Sequence, residues 1–119
     1  MKKNIFLAIA AIVIAVSFFA GFFLNSINAV PVLMYHSISP DHKDSSLYVS
    51  PEVFKAQMEF LSKHHYNVVA LEKVAAYIEK KEKMPRRTVA ITFDDGAYDN
   101  YSNAYPVLKQ LSIPATFFV

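Results

Sequence analysis

Cysteine and tryptophan are absent from the 119-residue chain, and glycine occurs only twice. Without cysteine there is no disulfide framework, no thiolate metal site and no thiol nucleophile. An ordinary glycine content of about 7% would place roughly eight in a chain of this length. Of the two present, Gly21 lies in a long apolar run and Gly96 follows two adjacent aspartates in Thr92-Phe93-Asp94-Asp95-Gly96. Charge of one sign is also scarce. The formal net charge is +2, and Lys2 and Lys3 account for it: the 12 basic residues less these two balance the 10 acidic ones. A balanced exterior carries no electrostatic footprint for nucleic acid, which excludes that class of partner. Neutral substrates such as glycans stay open.

Apolar residues, by contrast, make up 54% of the chain. From Ile5 to Leu24 only Ser17 and Gly21 fall outside the strongly apolar set. As a helix this run would be about 30 Å long, the thickness of a bilayer hydrocarbon core. Lys2 and Lys3 precede it and the next charge is Asp41, so the basic end is expected on the cytoplasmic side. Two readings remain. The segment is an uncleaved single-pass signal-anchor in the cell membrane, or a signal peptide cleaved after Ala29 in Ile27-Asn28-Ala29, leaving a secreted protein. Its length favours the anchor, because the apolar part of a signal peptide is usually about 7–15 residues. Either way, residues 1–29 form one unit and residues 30–119 an exported second one.

The exported part alternates between strand and helix signals. Val30 to Tyr35 is a short buried strand with Pro31 at its start, where a missing N–H is tolerated. A polar loop covers Ser39 to Ser50. Ser50-Pro51-Glu52 then opens a helix with an N-cap, a proline at the first position and an acid in the first turn. Phe54, Met58 and Leu61 make its apolar stripe, which runs to about His64. Tyr66 to Leu71 is a second strand, and Glu72 to Lys83 a second helix built on Val74, Ala75 and Ile78, broken by Met84-Pro85. Thr88 to Phe93 is a third strand, apolar or β-branched throughout, as suits a strand of a parallel sheet covered on both faces. A turn at Asp94-Asp95-Gly96, a helix over Asn103–Leu111 and a fourth strand over Pro114–Val119 follow. The fold class is therefore α/β, a parallel sheet or the N-terminal part of a (β/α) barrel. An apolar strand at Val119 is an open edge, so the chain is expected to be the N-terminal piece of a longer domain.

Asp94 and Asp95 stand where the third strand leaves the sheet, and strand C-termini are where chemistry collects in parallel α/β folds. Adjacent strand residues point to opposite faces, so two carboxylates can serve one site only if the backbone turns sharply. Gly96 supplies that freedom. Glycosidase carboxyl groups flank a sugar from separated positions. An adjacent pair fits better with one carboxylate on a metal and its neighbour handling a proton. Taken without its flanks, Asp-Asp-Gly is also an ordinary solvated turn.

The flanks carry a resemblance. Thr92-Phe93-Asp94-Asp95-Gly96 resembles the first motif of the polysaccharide deacetylases, the family-4 carbohydrate esterases with the NodB homology domain. Pro114-Ala115-Thr116-Phe117-Phe118-Val119 resembles the strand that follows it there. Val32-Leu33-Met34-Tyr35-His36 resembles the opening strand of the branch that includes biofilm poly-N-acetylglucosamine deacetylases. The resemblance implies metal-dependent hydrolysis of N-acetyl groups from a polymer of N-acetylglucosamine. It implies Asp94 as general base, Asp95 as metal ligand, a divalent cation (zinc by preference) and a polysaccharide substrate. His36 ends the first strand, on the same rim as Asp94 if the strands are parallel; by the resemblance it would protonate the leaving amine, and otherwise it is a histidine hydrogen-bonded in a strand-end turn.

In the family two histidines from a later motif complete the metal site, and no histidine follows Gly96 here. His64 and His65 diverge by about 100° on a helix and cannot chelate one ion side by side; they suit a solvated helix end. His42 lies in a polar loop. Tyr98 and Tyr101 stack on sugar rings or serve as core and rim residues. Two alternatives to the enzyme remain: a truncated, catalytically incomplete deacetylase-like membrane protein, and a single-pass protein whose exterior binds glycan or a partner without chemistry.

Overall fold

The computed structural model describes residues 2–26, 29–41 and 46–119, with side chains of the N-terminal helix described from Ile9 to Gly21. His42 and the Ile27-Asn28 part of the expected cleavage site lie outside the described residues. Helix α1 spans Lys2–Ser26. Its described apolar side chains other than Ala10 are exposed, Ile12, Ile14, Phe18 and Phe19 among them. Among the described residues, no helix is long and apolar enough to cross a membrane.

The rest is strand–helix alternation. Strands β1 (Val32–Tyr35), β4 (Asn67–Val69), β5 (Thr88–Phe93) and β6 (Thr116–Phe117) form one parallel sheet. β5 is its centre. β1 lies along one side, while β4 pairs with the start of β5 and β6 with its end. All six residues of β5 are buried, as its uniform apolar and β-branched composition requires. Ala90, Ile91 and Phe93 are fully enclosed. The described strands make an open four-stranded sheet, so the parallel α/β class is present without a closed barrel.

Helix α2 (Pro51–Lys63) starts where its capping signals place it. The Ser50 hydroxyl accepts from the Val53 amide at 3.3 Å and Pro51 occupies the first turn. Its stripe of Phe54, Met58 and Leu61 is buried, each worth about 1.5–3 kcal/mol when withdrawn from water. With Tyr35, Ile91, Phe93 and Leu108 they form the main core cluster, in which Tyr35 stacks on Phe93 and meets Phe54 edge-on.

Four expectations need correction. The polar loop over Ser39–Ser50 hides a second, two-stranded parallel sheet, β2 (Ser37–Ile38) with β3 (Tyr48–Val49); strands of two residues have no periodicity to detect. Helix α3 runs Leu71–Glu79, and of its expected stripe only Val74 is buried, while Ala75 is exposed and Ile78 is 69% exposed. Leu71 and Val74 pack on a small cluster with Val69 and Ala90, and Ile78, a turn further on, reaches no part of it. Chain reversal at Lys81 (φ 55°) ends the helix before Met84-Pro85. Finally, the helix after the aspartate turn begins earlier, as a π turn over Asn100–Ala104 that leads into α4 (Tyr105–Leu111). The Tyr105 amide donates five residues back, to the Asn100 carbonyl. Pro106 follows at once, and it has no N–H to offer Ser102 in an α-helical register.

Helices α2, α3 and α4 all end in the same way. Tyr66 N–H reaches Leu61 O at 3.0 Å, Glu82 N–H reaches Tyr77 O at 3.0 Å and Ile113 N–H reaches Leu108 O at 2.9 Å. These are Schellman closures, whose left-handed residue is His65, Lys81 or Ser112 rather than glycine.

Candidate active site

The parallel register pairs Tyr35 with Phe93 and Phe93 with Phe117. One rung further, the Asp94 amide donates to the Tyr35 carbonyl at 2.9 Å, and the Phe118 amide to the Phe93 carbonyl at 2.8 Å. β1 and β5 therefore end level, and the residues that leave them, His36 and Asp94, are neighbours on one rim. Tyr35 and Phe93 are buried under α2 and α4, and by strand alternation the next residue along each strand turns to the opposite face. His36 and Asp94 are both half-buried.

Asp95 is exposed at φ 67° and Gly96 at φ 55°. Two consecutive left-handed residues make the reversal, so Gly96 does not act alone. Aspartate is one of the few non-glycine residues that visits this region. A Cβ at Gly96 would lie 3.1 Å from Val119 Cγ1, so the turn is also closely packed. The result is a half-buried Asp94 next to His36 in the backbone register, and an exposed Asp95.

The segment after the turn binds back onto the chain after β1. Asn100 Nδ2 donates to the His36 carbonyl at 2.8 Å, and Asn103 Nδ2 to the Ile38 carbonyl at 2.7 Å. The Ser37 hydroxyl donates to the Asp99 carboxylate. Sequence reasoning missed Ser37, Asp99 and Asn100. The available signal was two asparagines three apart, shortly after the aspartate turn, Asn100 before the expected helix and Asn103 at its start.

Among the described residues, no group of three or more histidine, aspartate and glutamate side chains could hold a metal ion. The described residues thus do not by themselves complete the cation site that the resemblance implies. His64 and His65 are exposed at the end of α2, with His64 as its C-cap. Tyr98 and Tyr101 are 80% and 65% exposed, so they are not core residues.

Residues 81–119 match the family model described as polysaccharide deacetylase. The chain is 40% identical over 90 residues to the YxkH protein of Bacillus subtilis, covering 76% of this chain and 31% of that one. It is 39% identical over 87 residues to a poly-beta-1,6-N-acetyl-D-glucosamine N-deacetylase of Staphylococcus aureus, covering 73% and 29%. Among solved structures, IcaB from Ammonifex degensii superposes with a TM-score of 0.67 at 33% identity, over 77% of this chain and 38% of that one. The Streptococcus pyogenes deacetylase PplD, in complex with acetate, gives 0.67 at 32% identity, over 74% and 41%. The chain spans about 30% of the length of these curated relatives. With the aspartate turn inside the matched segment and the parallel sheet shared with its solved relatives, the chain belongs to the polysaccharide deacetylase family.

Proposed function

We propose that the chain carries the first part of the catalytic centre of a polysaccharide N-deacetylase, acting on a polymer of N-acetylglucosamine in the cell wall or biofilm matrix. The observation that carries it is the level ending of β1 and β5, which sets His36 beside Asp94 on one rim. Asp94 takes a proton from the attacking water, whose oxygen adds to the acetamide carbonyl carbon. As the C–N bond breaks, His36 in its protonated form gives a proton to the departing nitrogen, leaving acetate and a free amine. A half-buried carboxylate and imidazole suit this division, since each must exchange protons while partly shielded from water. Asp95 is the cation ligand that the resemblance implies among the described residues, with zinc as the metal.

The experiment is acetate release from N-acetylglucosamine oligomers by the full-length protein and its Asp94→Asn variant. Release by the native protein and its loss in the variant support the reading. Absence of release from chitin-like, biofilm and peptidoglycan polymers overturns it. The lack of a three-residue cation-binding group among the described residues favours a second reading for residues 1–119 taken alone, a deacetylase-like protein that binds glycan without turnover. Micromolar or tighter zinc binding by that chain would contradict it.

The proposal extends to location. Apolar side chains exposed around α1, two lysines at its start and no charge until Asp41 support a membrane anchor that holds residues 30–119 outside the cytoplasm. Partition of the full-length protein into the aqueous phase, with Ala29 still attached to residues 1–28, would contradict it.

A further inference from the structure

The sheet ladder stops at Tyr35, so nothing in β1 itself fixes the orientation of His36. Two bonds from elsewhere do. The peptide before His36 is held through the Tyr35 carbonyl by the Asp94 amide at 2.9 Å. The peptide after it is held through the His36 carbonyl by Asn100 Nδ2 at 2.8 Å. With both flanking peptide planes fixed, the direction of the His36 Cα–Cβ bond is set relative to Asp94. The next residue is secured twice more, by the Ser37 amide on the Leu47 carbonyl at 3.2 Å and by the Ser37 hydroxyl on Asp99.

Stability alone does not account for these choices. Asn100 is 2% exposed, and its Oδ1 has no protein partner; Asp99 Oδ1 is likewise buried without one. Burying polar atoms that stay unbonded is costly. The adjoining helical positions, Ala104 and Leu108, are apolar and buried, and an apolar residue would serve the core better. The π turn that carries Asn100 and Asn103 is itself a rare register that concentrates at functional sites.

We propose that Asn100, supported by the Ser37–Asp99 pair, is a positioning residue that aims His36 at the departing amine nitrogen. This rests on the deacetylase reading above. In amide hydrolysis the nitrogen leaves only after it takes a proton, whereas the phenolate of an activated aryl acetate leaves without one. A misaimed His36 therefore harms the first reaction and spares the second.

The test compares N-acetylglucosamine oligomers with p-nitrophenyl acetate on the full-length protein. Asn100→Ala lowers kcat for the oligomer about 10-fold or more, within the range that proton transfer supplies. It leaves KM and aryl acetate hydrolysis nearly unchanged. Asn103→Ala removes a bond of the same kind one turn away and keeps the amide-to-ester ratio. Asn100→Asp, which keeps the shape and removes the donor, gives the same loss if the alanine variant folds poorly. Equal decline on both substrates, or none on either, overturns the proposal. His36 ring signals in a proton–nitrogen correlation spectrum give a readout independent of turnover. They move in Asn100→Ala and stay in Asn103→Ala; unmoved signals in both overturn the proposal. Moved signals in a protein whose native form releases no acetate place the failure with the deacetylase reading instead.

Discussion

The Asp94 amide donates to the Tyr35 carbonyl at 2.9 Å, one rung past the last register pair of β1 and β5. That bond ties the aspartate turn to the end of a strand far away in sequence. It converts two separate motifs into one rim, with His36 next to Asp94 and Asp95 turned outward. The side chains beneath are aromatic: Tyr35 and Phe93 stack at 5.4 Å in the core, and the exposed Phe117 stacks on Phe93 at 4.7 Å. Large rigid side chains on three adjacent strand ends leave the rim little freedom to shift, which suits groups that must meet a substrate in fixed geometry.

The two aspartates should separate on substitution. Asp94→Asn in the full-length protein lowers kcat for acetate release by about 10²–10⁴-fold, the usual contribution of a general base, with cation affinity kept. Asp95→Asn lowers cation affinity, measured by zinc titration, and activity returns in part at raised zinc. Equal loss of cation affinity in both variants would contradict the division of roles.

Much of this rim was legible because its signals are local. The caps of α2 and the uniform composition of β5 each specify an element from a few neighbouring residues. The join between β1 and β5, and hence His36 beside Asp94, depended on strands being parallel and ending level, which the strand–helix alternation supports. The Asn100 bond to His36 was not legible. Its partner is a backbone carbonyl, which has no identity in the sequence, and it depends on a π turn that shifts helical spacing by one residue. The stripe on α3 misled for another reason. Its spacing is helical, but burial depends on what lies opposite, and little does at Ile78.

The helix ends predict a change of opposite sign at different positions. Lys81 and Ser112 close α3 and α4 at φ 55° and 53° and are exposed. An L-residue there costs about 1–2 kcal/mol over glycine, against roughly 0.5–1 kcal/mol of extra unfolded-state entropy for glycine. Lys81→Gly and Ser112→Gly therefore each stabilise the protein by about 0.5–1 kcal/mol in urea unfolding. Gly96→Ala destabilises it, because the added Cβ meets Val119 at 3.1 Å at a positive φ.

Tyr35 makes stability depend on alkaline pH. Burial pushes its phenol up from the usual 10.0 to about 12, and its hydroxyl bonds Gln57 Oε1 at 2.8 Å. The folded-state value lies above the unfolded one, so its contribution is complete below pH 10 and is lost as pH rises toward about 12. The full shift from 10.0 to about 12 bounds the loss at about 2.7 kcal/mol, which solvent screening reduces. Tyr35→Phe removes this slope while lowering stability at pH 8 through the lost Gln57 bond. A slope unchanged in the phenylalanine variant would assign it to another group.

The last prediction concerns strain where the chemistry is proposed. Asp95 adopts φ 67° immediately before Gly96 at φ 55°, so the reversal places a carboxylate where glycine is the comfortable residue. Strain of this kind is kept at functional sites because the surrounding structure holds it there. Asp95→Gly relieves it and deletes the carboxylate together, so the protein gains about 0.5–1 kcal/mol in urea unfolding while cation affinity and acetate release fall. Asp95→Asn, which keeps the backbone preference nearly intact, loses the same functions without gaining stability. Stability that falls in Asp95→Gly would show the carboxylate to be a structural tie of the turn, and the division of labour between Asp94 and Asp95 would have to be redrawn.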